Sequence, residues 1–168
     1  MFVLWMTGLP CSGKTTIARK LQEIYPKLAL LDGDELREWL SPKDFSRDGR
    51  NEHNRKVAHL AKLLLKHDIP VVVSLISPFN ENREYARKII GDNKFIETYI
   101  KCSLSVCETR DVKGMYKKAR LDEIKNFTGV NDDYDIPDNP DLIVNTEINS
   151  IDECTSQIIE YLDAQNII

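Results

Sequence analysis

The sequence predicts an α/β fold with one five-stranded parallel sheet and helices on both of its faces. First, apolar runs of strand length alternate along the chain with segments of helical periodicity, which is the pattern of a parallel sheet. Second, the run at residues 69–75 is β-branched without polar alternation, as in a central parallel strand. Third, a glycine-rich phosphate-binding motif at residues 8–15 lies between the first strand and the first helix. Right-handed crossovers should connect the strands.

The phosphate-binding motif fits G-x-x-x-x-G-K-[ST] and has the strand-loop-helix setting that this motif requires. Its glycines let the backbone curl so that N–H groups point at phosphate oxygens, and the following helix directs its positive end at the same anion. Lys14 can reach the β- and γ-phosphates as a catalytic charge, and the Thr15 hydroxyl can ligate Mg²⁺. The motif therefore predicts ATP and Mg²⁺ as ligands and the P-loop nucleotide-kinase fold, with either a phosphotransferase or a nucleoside triphosphatase as the activity. The expected donor-binding residues are Gly8, Leu9, Pro10, Cys11, Ser12, Gly13, Lys14, Thr15 and Thr16.

Two carboxylates follow the short apolar run at residues 28–31, where a second strand should end at the ligand edge of the sheet. Beside a phosphate loop, such a carboxylate can hold Mg²⁺ through water or accept a proton from an attacking hydroxyl. Asp32 is the candidate for the metal, and Asp34 is the catalytic candidate, which could activate the acceptor hydroxyl or organise Mg²⁺. The alternative for Asp34 is a structural role as the cap of the short helix that follows.

The remaining segments complete one domain over residues 1–168, with two functional segments between the regular elements. Residues 41–50 are polar and contain Pro42 and Gly49, so we expect a mobile loop, in which Phe45 must pack or stack. Residues 110–125 carry six basic and three acidic side chains around Gly114, which is the composition of a lid that closes over phosphates; we place this lid at about residues 110–130. The alternative is a solvated basic helix face. Helices are expected at 16–25, 51–67, 82–90, 104–109 and 150–162, and further strands at 2–6, 95–100 and 141–145.

The composition excludes several classes of function. With 42% hydrophobic and 30% charged residues, no membrane-spanning run and no basic leader, we expect a cytoplasmic protein. The first 131 residues hold all 23 basic and 17 of the 27 acidic side chains, a net charge of +6, whereas the remainder is acidic. Because no long basic stripe occurs, the expected partner is an anionic small molecule and not nucleic acid. The four cysteines lack zinc-site spacing and should be reduced thiols.

Taken together, these motifs resemble the adenylylsulfate kinase family, whose members phosphorylate the 3′-hydroxyl of adenosine 5′-phosphosulfate. The resemblance runs nearly end to end and implies a role in sulfate assimilation and, as is frequent in the family, a homodimer. It is carried by the phosphate loop, by the blocks at residues 31–34, 76–78, 95–97 and 110–120, and above all by Glu123-Ile124-Lys125-Asn126-Phe127-Thr128-Gly129, with Tyr134 and Pro137 beyond it.

By this resemblance, the acceptor site combines base stacking, anion binding and catalysis. Phe45 and Phe127 would sandwich the base, while Arg37 and Arg50 would hold the anionic groups. Ser77 is a further catalytic candidate, because some descriptions of the family assign its counterpart a phosphoserine intermediate, although direct in-line transfer needs none. The acceptor set implied is Asp34, Arg37, Phe45, Arg50, His53, Ile76, Ser77, Pro78, Lys113 and Phe127, and the resemblance adds Arg110 and Asn145 at the donor adenine.

One position departs from the family pattern and leaves the acceptor open. The family commonly has Asn where this chain has His53, so an amide that donates and accepts has become an imidazole. The first hypothesis is a kinase of adenylylsulfate. The second keeps the mechanism but has a cytidine nucleotide as acceptor, such as the diphosphoramidate used by relatives in capsule synthesis. The third is a nucleotide-binding module without turnover, against which the joint presence of Lys14, Thr15, Asp34 and Arg37 argues.

Overall fold

A five-stranded parallel sheet forms the centre of the protein, with the strand order β2-β3-β1-β4-β5. The computed structural model describes residues 1–40 and 44–167. All four pairings between neighbouring strands are parallel. Of the three inner strands, β1 and β3 are buried along their whole length, which explains their nearly continuous apolar sequences. The predicted fold class is thus confirmed. The strands are β1 (Val3–Thr7), β2 (Ala29–Asp32), β3 (Val71–Ser74), β4 (Phe95–Lys101) and β5 (Leu142–Asn145).

The described part of the chain contains seven helices, and helices lie on both faces of this sheet. A short 3₁₀ turn at Asp92–Lys94 leads into β4. Within residues 1–40 and 44–167, no helix combines the length and the hydropathy that crossing a bilayer requires. The helices are α1 (Lys14–Ile24), α2 (Gly33–Leu40), α3 (Arg47–Lys66), α4 (Asn80–Ile90), α5 (Leu104–Arg110), α6 (Met115–Arg120) and α7 (Ile151–Ala164).

The alternation of side chains along β1 divides the hydrophobic core into two halves. Leu4 and Met6 belong to the half that packs against α1 and α7. Val3 and Trp5 belong to the other half, which packs against α3 and α4. The helices α1 and α7 thus cover one face of the sheet and α3 and α4 cover the other, so the ligand-binding edge of the sheet stays open.

The helix α3 begins at Arg47, four residues before the predicted start at Asn51. Ser46 caps it, since the Ser46 hydroxyl oxygen accepts a hydrogen bond from the Gly49 backbone N at 3.2 Å. A single capping serine therefore converts the end of the expected mobile loop into the first turn of the helix. Residues 41–43 of that expected loop lie outside the described residues.

The predicted lid segment contains the helix α6 and packs against the rest of the protein through a small apolar cluster. Tyr116, Ala119 and Phe127 are buried there with Cys102 and Cys107. The neighbouring basic side chains of the helix remain exposed. The segment therefore has an apolar inner face, which a purely solvated basic helix would lack.

Candidate active site

A cavity of about 770 Å³ opens at the carboxyl-terminal edge of the sheet. It is lined by the phosphate loop, the β2–α2 junction, the start of α3, the turn after β3, the lid and the start of α7. Gly8, Leu9, Ser12 and Asn145 do not line the cavity, although the last three adjoin lining residues in sequence. The predicted site residues that line the cavity are Pro10, Cys11, Gly13, Lys14, Thr15, Thr16, Asp32, Asp34, Arg37, Phe45, Arg50, His53, Ile76, Ser77, Pro78, Arg110, Lys113 and Phe127.

The phosphate loop depends on glycine at both ends of its motif. A Cβ on Gly8 would lie 2.6 Å from the backbone oxygen of Ile100, so no larger residue fits without a shift of the backbone. Gly13 precedes α1 with φ +100°, a left-handed conformation that favours glycine. The loop between them is fixed further, because the Thr146 hydroxyl donates to the Ser12 backbone oxygen at 2.7 Å. The loop is thus held in place by the protein itself.

Lys14 lies folded into the phosphate loop. Its Nζ donates hydrogen bonds to the backbone oxygens of Gly8 at 2.9 Å and Leu9 at 2.7 Å, and to the Ser12 hydroxyl at 3.3 Å. Burial lowers the pKa of Lys14 to about 8, because its ammonium group has lost most of its contact with water. A bound polyphosphate would restore the missing counter-charge at this position.

Thr15, Asp32 and Ser74 form a cluster of oxygen atoms next to the loop. The Thr15 hydroxyl donates to Asp32 Oδ2 at 2.8 Å and lies 3.0 Å from the Ser74 hydroxyl. Hydroxyl and carboxylate oxygens are the ligands that Mg²⁺ prefers, so the residues present fit the predicted metal. Ser74 was absent from the sequence prediction, although its place at the end of the most apolar strand was a usable signal.

Asp34 is an exposed carboxylate in the first turn of α2 and forms an ion pair with Lys113 of the lid, 2.5 Å between Asp34 Oδ2 and Lys113 Nζ. The structural alternative for Asp34 was a helix cap, but Asp32 has that role. Asp32 Oδ1 accepts the backbone N–H of Asp34 at 3.0 Å and that of Glu35 at 3.4 Å. The carboxylate of Asp34 is therefore available to contact a ligand in the cavity and Lys113 of the lid.

The acceptor half of the cavity contains the two predicted aromatic side chains. The Arg37 guanidinium lies over the ring of Phe45, 4.7 Å from its centroid, and the ring of Phe127 meets Tyr116 edge-on at 4.9 Å. His53 is buried nearby. Burial, followed by the positive charges of Arg37 and Lys56, lowers the pKa of His53 to about 4, so its imidazole is neutral at neutral pH.

The turn after β3 is held by buried hydrogen bonds. Ser77 has φ +43°, and its hydroxyl accepts from Trp5 Nε1 at 2.9 Å and donates to Asn54 Oδ1 at 2.6 Å. The Ser77 backbone oxygen accepts from Nη1 of the buried Arg83 at 2.6 Å, and Arg83 Nε pairs with Glu97 at 2.8 Å. The Ser77 hydroxyl thus points into the protein, where it accepts one hydrogen bond and donates another. This favours a positioning role for Ser77 over the role of a phosphate acceptor. Asn54 was not predicted, because its use depends on the folded arrangement.

The donor half continues along β5 and the start of α7. Arg110 Nη1 donates to the Thr146 hydroxyl at 3.2 Å, and Thr146 lines the cavity. Asn145 instead shapes the turn, since its Oδ1 accepts the backbone N–H of Glu147 at 3.0 Å. Ser150 at the start of α7 also lines the cavity, and nothing in its local sequence indicated this.

The fold and the two-part cavity define a P-loop kinase that acts on a small anionic acceptor. The model of the family described as adenylylsulphate kinase matches residues 1–145. The adenylyl-sulfate kinase of Clostridium acetobutylicum is 46% identical over 171 residues, covering 99% of this chain and 85% of the relative. The adenylyl-sulfate kinase of Halothermothrix orenii is 44% identical, and the match covers 98% of this chain and 91% of the relative.

The solved structures agree with this assignment. The structure of the Mycobacterium tuberculosis APS kinase CysC in complex with AMPPNP and APS superposes with a TM-score of 0.91 and 38% identity, covering 96% of this chain and 97% of that chain. The present chain belongs to the adenylylsulphate kinase family.

Proposed function

We propose that this protein is a Mg·ATP-dependent kinase that phosphorylates the 3′-hydroxyl of adenosine 5′-phosphosulfate, giving 3′-phosphoadenylyl sulfate for sulfate assimilation. The observation that carries the proposal is that one cavity joins the phosphate loop to Arg37 and to the aromatic side chains of Phe45 and Phe127. Relatives named adenylyl-sulfate kinase match the chain over almost its full length. A homodimer and a cytoplasmic location stay predictions.

On the donor side, the chain supplies charge and orientation. Lys14 would contact the β- and γ-phosphates from within the loop, and the amide groups at the start of α1 would accompany it. Thr15 and Asp32 would hold the metal through their oxygens. When bound there, Mg²⁺ would neutralise phosphate charge that develops during transfer. Arg110 and the residues around Thr146 would border the adenine.

On the acceptor side, Asp34 is the candidate general base. Its exposed carboxylate can accept the proton of the 3′-hydroxyl once Lys113 exchanges its ion pair for a phosphate oxygen. Phe45 and Phe127 would stack on the base, and Arg37 would pair with the anionic groups. Direct in-line transfer from ATP to the acceptor then requires no covalent enzyme intermediate.

A cytidine nucleotide is the second candidate acceptor, and the observation that favours it is the neutral, buried His53 in the cavity wall. An imidazole in this place offers a different pattern of donors and acceptors from the amide of the family pattern. The other functional residues would keep their roles, because the phosphate loop and Asp34 would not contact the base.

The test is ADP release with Mg·ATP, measured in a coupled assay with adenylylsulfate and a panel of cytidine diphosphate derivatives offered in parallel. A clear kcat/KM preference for adenylylsulfate supports the first proposal, and a preference for a cytidine acceptor replaces it with the second. ATP binding without ADP release for every acceptor would indicate a nucleotide-binding module. Lys14→Ala serves as the control that turnover comes from this site.

A further inference from the structure

Tyr116 of the lid helix contacts both halves of the cavity from behind its wall. Its hydroxyl donates to the backbone oxygen of Pro10 in the phosphate loop at 3.0 Å. Its ring meets the ring of Phe127 edge-on, with 4.9 Å between the centroids. Pro10 and Phe127 line the cavity, whereas Tyr116 is not part of the lining that the described residues form, and it is 1% exposed. One buried side chain thus lies between the donor loop and an aromatic ring of the acceptor half.

The position of Tyr116 is fixed by the segment that carries it. The Asp111 carboxylate accepts the backbone N–H of Tyr116 at 2.9 Å and that of Lys117 at 3.0 Å, so it holds the start of α6. The ring is packed in the apolar cluster that contains Ala119 and Phe127. Burial raises the pKa of Tyr116, so the hydroxyl keeps its proton and remains a donor. Because the ring is rigid and closely packed, a displacement of the phosphate loop would be transmitted to Phe127.

A second contact joins the same two segments. A Cβ on Gly129 would lie 3.0 Å from Leu9 Cδ2, so the turn after Phe127 packs closely on the phosphate loop. This contact is apolar and has no preferred direction, whereas the hydrogen bond of the Tyr116 hydroxyl is directional. Removal of that hydroxyl leaves the apolar contact in place, so a variant can separate the two routes.

We propose that Tyr116 is a positioning residue that couples donor binding to acceptor binding. A nucleotide in the phosphate loop fixes Pro10, and Tyr116 then holds Phe127 in the orientation that stacks on the acceptor base. Such coupling is a free energy shared by two sites, and it requires an element that both ligands bias. The inference rests on the proposed function in taking Phe127 as a stacking residue for a nucleotide acceptor.

The test measures binding and not turnover. The Kd of adenylylsulfate is determined by isothermal titration calorimetry, first without nucleotide and then with saturating Mg·AMPPNP, whose imido bridge prevents transfer of the γ-phosphoryl group. The ratio of the two constants is the coupling factor. Linkage requires the same ratio for AMPPNP measured without and with adenylylsulfate, which provides an internal check.

Three variants locate the coupling. Tyr116→Phe removes the hydroxyl and keeps the ring, and Phe127→Leu removes the ring that Tyr116 contacts. Tyr85→Phe is the matched control, because the Tyr85 hydroxyl lies 3.0 Å from His59 Nε2 in an exposed contact and neither residue lines the described cavity. The control therefore makes the same chemical change as Tyr116→Phe at a hydroxyl that touches neither half of the site.

We expect a coupling factor of at least about fivefold in the wild type. Tyr116→Phe should lower this factor at least about threefold, while the Kd of adenylylsulfate without nucleotide stays within about twofold of the wild type. Phe127→Leu should weaken adenylylsulfate binding in both states and lower the factor as well, and Tyr85→Phe should change no constant. A merely structural role of Tyr116 would weaken each ligand alone and leave the ratio unchanged.

A coupling factor of about one in the wild type would overturn the proposal. A wild-type factor in Tyr116→Phe would overturn it too and would assign the coupling to the apolar contact of Leu9. If Tyr116→Phe fails to fold, Phe127→Leu decides the matter, and an unchanged factor there has the same meaning. If the wild-type protein binds no adenylylsulfate in either state, the proposed function fails, and the cytidine nucleotide that it phosphorylates replaces adenylylsulfate in the same titrations.

Discussion

The buried hydroxyl of Ser77 allows a positioning role and a phosphoserine role to be distinguished. Ser77→Ala removes the acceptor for Trp5 Nε1 and the donor to Asn54 Oδ1, and both partners are buried. Each buried polar group left without a bond costs about 1–3 kcal/mol, so we expect a loss of about 2–4 kcal/mol in the free energy of unfolding. The left-handed backbone at φ +43° does not change this figure, because serine and alanine are strained there alike.

For a domain of this size, about 2–4 °C of Tm is lost per kcal/mol, so Ser77→Ala should melt about 5–15 °C lower. Thermal unfolding by circular dichroism measures this shift. Ser156→Ala, at an exposed position of α7, is the matched control and should stay within about 0.5 kcal/mol of the wild type. Trp5→Phe should destabilise the wild type more than it destabilises Ser77→Ala, since the lost bond is the same one.

Turnover at a temperature where the variant is folded decides the role of Ser77. A positioning role predicts that kcat falls by no more than about tenfold, whereas a covalent phosphoserine step predicts a loss of about 10³-fold or more. The positioning role of Ser77 is refuted if turnover disappears while Tm is unchanged, or if γ-labelled ATP leaves a stable phosphoryl group on Ser77.

Four further predictions concern phosphoryl transfer and the choice of acceptor. Asp34→Ala should lower kcat far more than it weakens ATP binding; equal losses in steady-state kinetics and in ATP titration would assign Asp34 a structural role. Lys14→Ala should lose about 3–5 kcal/mol of transition-state stabilisation. Because burial lowers the pKa of Lys14 to about 8, the ammonium form is present below this pH and lost above it, so kcat/KM for ATP should fall as the pH rises through about 8; a flat profile to pH 10 contradicts this. His53→Asn should raise kcat/KM for adenylylsulfate if the natural acceptor is a cytidine nucleotide, and should leave it equal or lower if adenylylsulfate is the natural acceptor.

The sequence was informative wherever a function depends on residues close together in the chain. The phosphate loop, the carboxylates after β2 and the five-stranded parallel sheet follow from local patterns and from the rule that ligands gather at strand ends. Arg50 shows where this reasoning stops. Arg50 donates hydrogen bonds to the backbone oxygens of Phe45 and Asn126, and the second is 76 positions away, so no local pattern indicated this contact. Its role at the anionic groups of the acceptor stays a prediction.

Buried polar residues were the least predictable part of the site. Arg83 lies in an ordinary amphipathic segment, yet it is 2% exposed and bonded to the Ser77 backbone oxygen and to Glu97. Nothing in the spacing of α4 distinguishes it from the exposed charges around it. Its burial depends on β4 supplying a carboxylate opposite, and pairings of this kind are set by the tertiary structure.

The donor and acceptor halves of the cavity share hydrogen bonds, and this limits how the enzyme can close. The Thr7 hydroxyl donates to the Ile76 backbone oxygen at 2.8 Å, and the Gly8 backbone N donates to the same oxygen at 3.3 Å. The phosphate loop and the acceptor turn therefore move together. The Asp34–Lys113 pair, by contrast, joins two exposed side chains, and such pairs contribute about 0–1 kcal/mol. Closure can break that pair easily, so the fold sets the distance for phosphoryl transfer while the lid admits and encloses the substrates.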